Sequence, residues 1–345
     1  MRVTIADVAA KAKVSTATVS YVLNKSNRVS KETRDRVLRA VEELGYQPNA
    51  LAQGLVKNET RNIGVVIPHT AESVFSDPFF PELLKGIGTV VTREGYFLLL
   101  SLLSVTEDFV SVLSSMISQR RVDGIIVAST PRDSEVVTKV REGGLPFTLI
   151  GPCYLSDVHS IDVDNEQGAY RAARHLIELG HSQIGYISGD MRFDYAVQRY
   201  RGFQRALDEA GLGLAHVYMG DVTHQSGQRG AKHLLESFPG ITALACASDM
   251  AAYGAIAAAR ELGLRVPADL SVVGFDDIPF AQEHEIKLTT ISQPIAKLGY
   301  LASENLIARL TNSTSQAQPA RQIIETELVV RDSAAAPNTA RRIYR

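Results

Sequence analysis

The chain has 345 residues, enough for two or three folding units at about 150 residues per domain. Hydrophobic residues make up 45% of it and charged residues 21%, which indicates an ordinary globular protein and excludes disordered, collagen-like and mucin-like classes. Residues 1–60 carry 10 basic and 6 acidic side chains, whereas the remainder carries 26 and 32. A basic head on an acidic body suggests that the head meets a polyanion.

Targeting and redox signals are absent from the sequence pattern. No apolar run approaches the roughly 18 residues that span a bilayer, and residues 1–15 lack the apolar stretch of about 7–15 residues found in signal peptides. We therefore expect a cytoplasmic protein with no membrane partner. Cys153 and Cys246 lie far apart and predict neither a disulfide framework nor a metal cluster. No cofactor is expected.

Residues 1–48 predict a small head of three helices. Thr4, followed three residues later by Asp7, resembles a capping box, and Ser15 is the next natural N-cap. The third helix starts at Ser30, buries Val37, Leu38, Val41 and Leu44, and ends at Gly45. Three amphipathic helices of this size can bury one small core. Residues 49–60 follow as a short, weak helix and linker, because two helical turns are unstable in isolation.

From residue 61 onward, apolar strands alternate with helices that mostly close at glycines. This alternation is typical of parallel sheets covered on both faces. The predicted fold class is an all-α helix-turn-helix head plus an α/β core of two lobes, each a doubly wound parallel sheet. The predicted division gives the first lobe 61–159 plus 294–321, the second lobe 160–293 plus 322–331, and a frayed tail 332–345.

Several strings share their order and spacing with a known family. In the head they are TIADVA from Thr4, VSTATVSYVLN from Val14 and GYQPNA from Gly45; in the body, HLIELGH from His175 and VVGFDD from Val272. On these residues the chain resembles the lactose repressor, or LacI/GalR, family. The resemblance implies a ligand-responsive transcription regulator that binds a palindromic DNA operator as a homodimer. It also implies a core like a periplasmic sugar-binding protein.

The resemblance also implies which head residues meet DNA. The second helix of such a head enters the major groove, which places Thr16 and Ala17 nearest the bases and Tyr21 one turn on. Tyr21 departs from the basic residue frequent at that position. Hydroxyls at helix N-termini suit phosphate oxygens, with simple capping as the alternative. Leu55 matches a residue that levers the minor groove open, with a plain linker as the alternative. The predicted DNA-binding residues are Thr4, Ser15, Thr16, Ala17, Tyr21, Asn24, Ser30, Thr33, Asn49 and Leu55.

An effector is expected in the cleft between the lobes. Arg199 matches the effector-binding arginine of the family, and Asp276 matches its acidic partner at the carboxyl end of a strand. A guanidinium and a carboxylate can donate to and accept from neighbouring hydroxyls at once, which suits a sugar. Val222 stands where a purine-binding member presents an aromatic ring, which favours a carbohydrate. The predicted effector-binding residues are Phe79, Phe193, Arg199, Val222, Ser248 and Asp276; the two phenylalanines are equally interpretable as core.

Signatures of catalysis are missing from the sequence. No zinc-ligand spacing, nucleophile elbow or phosphate-cradling glycine loop occurs, so we predict that the protein is not an enzyme. The function predicted is a repressor of carbohydrate-utilisation genes whose operator affinity changes when a sugar or sugar derivative binds. The alternative is a carbohydrate-binding protein of transport type, which has no use for the head.

Overall fold

A computed structural model describes residues 3–24, 26, 28–47, 59–102, 107–132, 135–153, 155–213, 216–311 and 320–338. The chain divides into two compact units, Met1–Thr60 and Arg61–Arg345, called here the head and the body. None of the helices in these described ranges has the length and apolar character of a transmembrane span.

The head contains the three predicted helices, α1 (Ile5–Ala12), α2 (Thr16–Leu23) and α3 (Lys31–Leu44). Their buried faces meet in one small core, centred on the fully buried Val8, Val19 and Val37. One predicted core position is wrong. Leu38 is 46% exposed and Ala40 is buried in its place, because the inward face of α3 runs through positions 37, 40, 41 and 44.

Local signals fix the ends of these helices. The Thr4 hydroxyl accepts a hydrogen bond from the Asp7 backbone while Asp7 accepts one from Thr4 N at 2.8 Å, which confirms the capping box. Gly45 ends α3 in the left-handed region at φ 60°, where glycine is unstrained. Lys13 takes a left-handed conformation at φ 52° between α1 and α2, a position at which a side chain costs some strain.

The body follows the predicted alternation of strands and helices. In chain order its elements are β1 (Asn62–Ile67), α4 (Ala71–Ser76), α5 (Phe79–Arg93), β2 (Phe97–Leu102), α6 (Glu107–Ser118), β3 (Gly124–Ala128), α7 (Glu135–Glu142), β4 (Phe147–Ile150), β5 (His159–Val163), α8 (Asn165–Glu178), β6 (Ile184–Ser188), α9 (Asp194–Glu209), β7 (His216–Met219), α10 (His224–Ser237), β8 (Ala243–Cys246), α11 (Asp249–Glu261), β9 (Ser271–Asp276), α12 (Phe280–Glu283), β10 (Thr289–Ser292), α13 (Ile295–Thr311), β11 (Arg321–Ile324) and β12 (Glu327–Val329).

Two six-stranded sheets organise the body into lobes. The first lobe has strand order β11-β5-β4-β3-β1-β2, all parallel. The second lobe has the order β12-β10-β9-β8-β6-β7, parallel except for the antiparallel pair of β10 and β12. The chain crosses between the lobes three times, after β5, after β10 and after β11. Both sheets therefore have their crossing segments at the same end of the strand order.

The pairing corrects the predicted division of the body. Strand β5 is hydrogen-bonded to β4, so the first lobe continues through Val163 and does not end at residue 159. Strand β11 pairs with β5, so residues 322–324 belong to the first lobe as well. Sequence alternation could not locate these boundaries, because the partner of a strand is a tertiary property.

The predicted frayed tail is also wrong over its first part. The hydroxyl of Ser333 is buried and bridges two strands, accepting from Thr289 N at 2.8 Å and donating to Val272 O at 2.6 Å. Ala335 O lies 2.8 Å from Nε2 of His181. The chain as far as Ala335 is thus part of the second lobe.

Glycines allow helices to pack closely on each lobe. A Cβ added at Gly86 of α5 would overlap the Ala296 carbonyl oxygen of α13, whereas one at Gly88 on the same helix would meet nothing within 4 Å. We expect Gly86→Ala to lower stability by about 1–3 kcal/mol through overpacking. Gly88→Ala should raise it by about 0.5–1 kcal/mol, since alanine is the better helix former. Thermal unfolding of the two variants checks this, and equal midpoints would contradict it.

Strand β2 differs from the buried strand that was expected. It lies at the edge of its sheet, and Phe97 is 72% exposed, with Leu98 and Leu99 also exposed. An apolar edge strand is a surface that proteins usually cover.

Candidate functional site

The exposed face of α2 is the candidate DNA-reading surface of the head. Thr16, Ala17 and Tyr21 are exposed, while Val19 and Val22 are buried against α1 and α3. Ser15 accepts a hydrogen bond from Thr18 N at 3.1 Å and fixes the start of the helix. The first turn of α2 therefore presents one hydroxyl and one methyl group to solvent, as the sequence predicted.

The predicted phosphate-contacting hydroxyls all stand at helix starts. Thr4, Ser15 and Ser30 each accept from the backbone three residues on, and the Ser30 hydroxyl donates to Thr33 Oγ1 at 3.1 Å. Asn24 caps the end of α2 by donating to Ser20 O at 2.9 Å. Capping is thus observed for this set, and phosphate contact stays a prediction. Asn49 and Leu55 lie outside the described residues.

A cleft of about 770 Å³ opens between the two lobes of the body. Its walls come from segments that follow the carboxyl ends of β1, β3 and β4 in the first lobe and of β6 and β9 in the second. Parallel α/β sheets place ligands at this end of their strands. A volume of this size accommodates a small organic ligand.

Arg199 of α9 is the most extensively bonded side chain in the cleft. Its Nε donates to Asn165 Oδ1 at 2.9 Å and its Nη1 donates to Ala247 O at 2.6 Å. The guanidinium carbon lies 3.6 Å from the centre of the Phe275 ring. These contacts fix the plane of the guanidinium and leave Nη2 without a hydrogen bond to the described residues. A planar donor held in this way is preorganised for a ligand oxygen.

Asp276 faces Arg199 from the end of β9. Its Oδ1 lies 3.4 Å from Arg199 Nη1 and accepts from Gln293 Nε2 at 2.5 Å. Its backbone is in a positive-φ conformation, at 123°, a strained geometry of the kind that is concentrated at functional sites, and the residue lines the cleft. Burial raises the pKa of Asp276 to about 7, against the lowering effect of Arg199.

The raised pKa of Asp276 predicts a pH-dependent stability. Its pKa rises from an ordinary 3.8 to about 7 on folding, so the folded chain keeps a proton that the unfolded chain releases between about pH 4 and 7. The free energy of unfolding therefore falls as the pH rises through this window, by at most about 1.4 kcal/mol per pH unit. Urea unfolding at pH 5 and pH 8 should show a larger loss for the wild type than for Asp276→Asn. Equal losses would contradict this.

The first lobe contributes further carboxylates that the sequence analysis missed. Asp77 lines the cleft beside Phe79, whose backbone donates to Asp77 Oδ1 at 3.0 Å, and burial raises its pKa. Asp162 accepts from Val163 N at 2.8 Å and Asn165 Nδ2 at 3.2 Å, and burial raises its pKa to about 6. Both side chains offer oxygen acceptors to a ligand hydroxyl.

A second set of contacts joins the lobes away from the crossing segments. Arg132, after β3, lies with its Nε 2.7 Å from Asp194 Oδ1, and its backbone N donates to Arg192 O at 2.8 Å. The His69 ring stacks on Phe193 with centroids 5.3 Å apart. Strands β3 and β6 are set back from the crossing edge of each sheet. The cleft is therefore bridged on both sides of Arg199.

The structure brings four of the six predicted effector residues to the cleft wall: Phe79, Arg199, Val222 and Asp276. Phe193 is 6% exposed and packs against His69, so its ring is not available to stack on a ligand. Ser248 is an N-cap that accepts from Ala251 N at 3.1 Å and donates to Val222 O at 2.8 Å. These two residues shape the site from behind its surface.

Two further residues that sequence reasoning missed share one signal. Asn165 and Gln293 are polar side chains that follow a buried strand by one or two residues and are themselves buried. Their position at the carboxyl ends of β5 and β10 marks them as site residues once the sheet order is known.

Together, the helix-turn-helix head and the two-lobed core with its cleft define a class of protein, the ligand-responsive DNA-binding regulators. A model of bacterial regulatory proteins of the lacI family matches residues 4–49. A model of the periplasmic binding protein-like domain matches residues 173–334.

Known proteins match almost the whole length of the chain. The HTH-type transcriptional regulator CelR of Thermobifida fusca is 35% identical over 96% of this chain and 98% of its own. The HTH-type transcriptional repressor PurR of Haemophilus influenzae is 36% identical over the same shares. The lac repressor dimer bound to operator and the anti-inducer ONPF superposes with a TM-score of 0.86 at 29% identity, covering 97% of this chain and all of that one. The chain belongs to the lacI family of bacterial regulatory proteins, which confirms the predicted resemblance and fold class.

Proposed function

We propose that the protein represses carbohydrate-utilisation genes by binding a palindromic operator as a homodimer, with a sugar in the interlobe cleft as its effector. One observation supports the proposal most strongly. The same chain contains a helix, α2, whose exposed face can contact DNA bases, and a cleft built around Arg199 and Asp276. The head has no role in a transport-type binding protein, which disfavours that alternative.

The charges of the cleft favour an uncharged effector. Both guanidinium groups on its described wall already face a carboxylate, Arg132 with Asp194 and Arg199 with Asp276. Burial lowers the pKa of His69, so this imidazole adds no positive charge at neutral pH. The remaining carboxylates repel a phosphate and accept hydrogen bonds from hydroxyls. A neutral polyol can donate hydrogen bonds to these carboxylates, whereas a sugar phosphate would be repelled by them.

The lining and volume of the cleft bear on which neutral ligand it binds. A solved complex of a transcriptional regulator CelR with cellobiose superposes with a TM-score of 0.76 at 33% identity, covering 96% of this chain and all of that one. Val222 presents an aliphatic side chain to the cleft where stacking on a purine needs a ring. The volume of about 770 Å³ leaves room for a disaccharide. We infer a neutral mono- or disaccharide.

Exposed apolar surface supports the dimer. Phe97, Leu98 and Leu99 on edge strand β2 form a patch that a second copy would cover. The lac repressor, whose structure superposes with a TM-score of 0.86, is itself a dimer on its operator. A palindromic operator mirrors such two-fold symmetry.

A thermal-shift screen of the full chain tests the effector class. Neutral sugars such as cellobiose, phosphorylated sugars and purine bases are each added at millimolar concentration. A ligand at a hundredfold excess over its Kd contributes about 2.7 kcal/mol, so a neutral sugar should raise the melting midpoint by several degrees. A shift with purine bases or sugar phosphates alone would contradict the proposal. Operator binding is then repeated with each sugar that shifts the midpoint.

A further inference from the structure

The reading face of α2 lacks a charged side chain. The helix sequence is TATVSYVL, and its exposed positions offer the Thr16 hydroxyl, the Ala17 methyl group and the Tyr21 ring. None of these makes the bidentate contact with a base edge by which arginine recognises guanine. Strong discrimination of a G–C pair therefore needs a residue from outside the helix.

Arg28 lies beside this face although it belongs to the segment after α2. It is exposed, and its guanidinium carbon lies 5.8 Å from the centre of the Tyr21 ring. The segment is tied to the end of α2, since Ser26 N donates to Tyr21 O at 2.9 Å and Arg34 Nη2 donates to Ser26 O at 2.7 Å. Arg28 N in turn donates to Ser26 Oγ at 3.3 Å.

We infer that Arg28 is a base-reading residue of the head, which recognises a guanine in each half of the operator from the major groove. The Tyr21 ring supports one face of its guanidinium by a cation–π contact and limits the directions in which the donor fork can point. The paired N–H donors of the guanidinium then match the two acceptors of guanine, O6 and N7. The inference rests on the proposed function, because it requires that the head bind duplex DNA.

Selection from a randomised palindromic duplex pool tests this assignment. The full chain, Arg28→Ala and Arg28→Lys each select duplexes, which are sequenced. The wild type should prefer G at one symmetric position per half-site; Arg28→Ala should lose that preference, and Arg28→Lys should weaken it. Replacing this G–C pair should cost the wild type about tenfold in affinity and should cost Arg28→Ala less than about twofold. Arg28→Lys keeps the charge and should therefore keep the salt dependence of binding.

Arg36→Ala is the matched control, because Arg36 is an exposed arginine of α3, whereas the guanidinium over the Tyr21 ring is that of Arg28. It should select the same bases as the wild type. If Arg28→Ala also selects the same bases and merely binds every duplex more weakly, Arg28 contacts phosphate and the inference is wrong. If the wild type selects no palindrome, the proposed function fails, and the inference fails with it.

Discussion

Replacing Arg199 by lysine is expected to weaken sugar binding by about a hundredfold while the body remains folded. A lysine keeps the positive charge near Asp276 but cannot hold Asn165, the Ala247 carbonyl and a ligand hydroxyl in one plane. If the guanidinium donates two hydrogen bonds to the ligand, their loss costs about 3 kcal/mol of binding free energy, which corresponds to that factor. Isothermal titration with the sugar found in the screen measures it. Arg199→Ala is less informative, because it also leaves the buried Asn165 side chain and the Ala247 carbonyl without their donor and so weakens the fold.

Arg205 supplies the control on the same helix. It is half-buried and paired with Glu166 at 2.6 Å, outside the cleft. Arg205→Lys should bind the sugar as the wild type does. An Arg199→Lys variant that titrates like the wild type would show that the guanidinium does not bind the effector.

Truncating Leu55 is expected to weaken operator binding by more than tenfold without unfolding the head. The expectation comes from the family resemblance, since Leu55 matches the side chain that enters the minor groove. Separating two stacked base pairs costs a few kcal/mol, and the additional contacts between the bent duplex and the protein offset this cost. Leu55→Ala removes the side chain that separates the base pairs, so the DNA bend and the contacts that depend on it are lost. Fluorescence anisotropy with a labelled operator at fixed salt measures the change.

Leu38→Ala is the matched truncation for this experiment. Leu38 is an exposed leucine of α3, so its loss removes apolar surface of the same size without disturbing the core. It should bind the operator with wild-type affinity and melt like the wild type. Unchanged affinity for Leu55→Ala under the same conditions would show that Leu55 does not separate the base pairs.

The head could be predicted from sequence because its signals are local. A capping box at Thr4, N-caps at Ser15 and Ser30 and a left-handed Gly45 each act within one helical turn. Leu38 was placed wrongly, because the apolar pattern of α3 allows either Leu38 or Ala40 to face the core beside Val37 and Val41. Which of them turns inward depends on how α3 is rotated against α1 and α2.

The body was harder to predict because its connections are not local. The alternation of strands and helices indicated two parallel sheets, but the placement of β11 depends on hydrogen bonds with β5, which lies about 160 residues earlier in the chain. The same limit applies to the cleft. Arg199 and Asp276 came from the family resemblance, whereas Asp77 and Arg132 reach the cleft from the other lobe and carry no local sequence signal.

The control of DNA binding by the cleft can be measured as the affinity of the full chain for its selected palindrome, in rising salt, with and without the sugar that stabilises the body. A DNA-binding head controlled by the cleft predicts that the logarithm of affinity falls linearly with the logarithm of salt concentration. It also predicts that the sugar shifts affinity by at least about fivefold at every salt concentration, as coupling between sites of about 1 kcal/mol or more requires. If the sugar leaves the operator affinity unchanged, the cleft does not control the head.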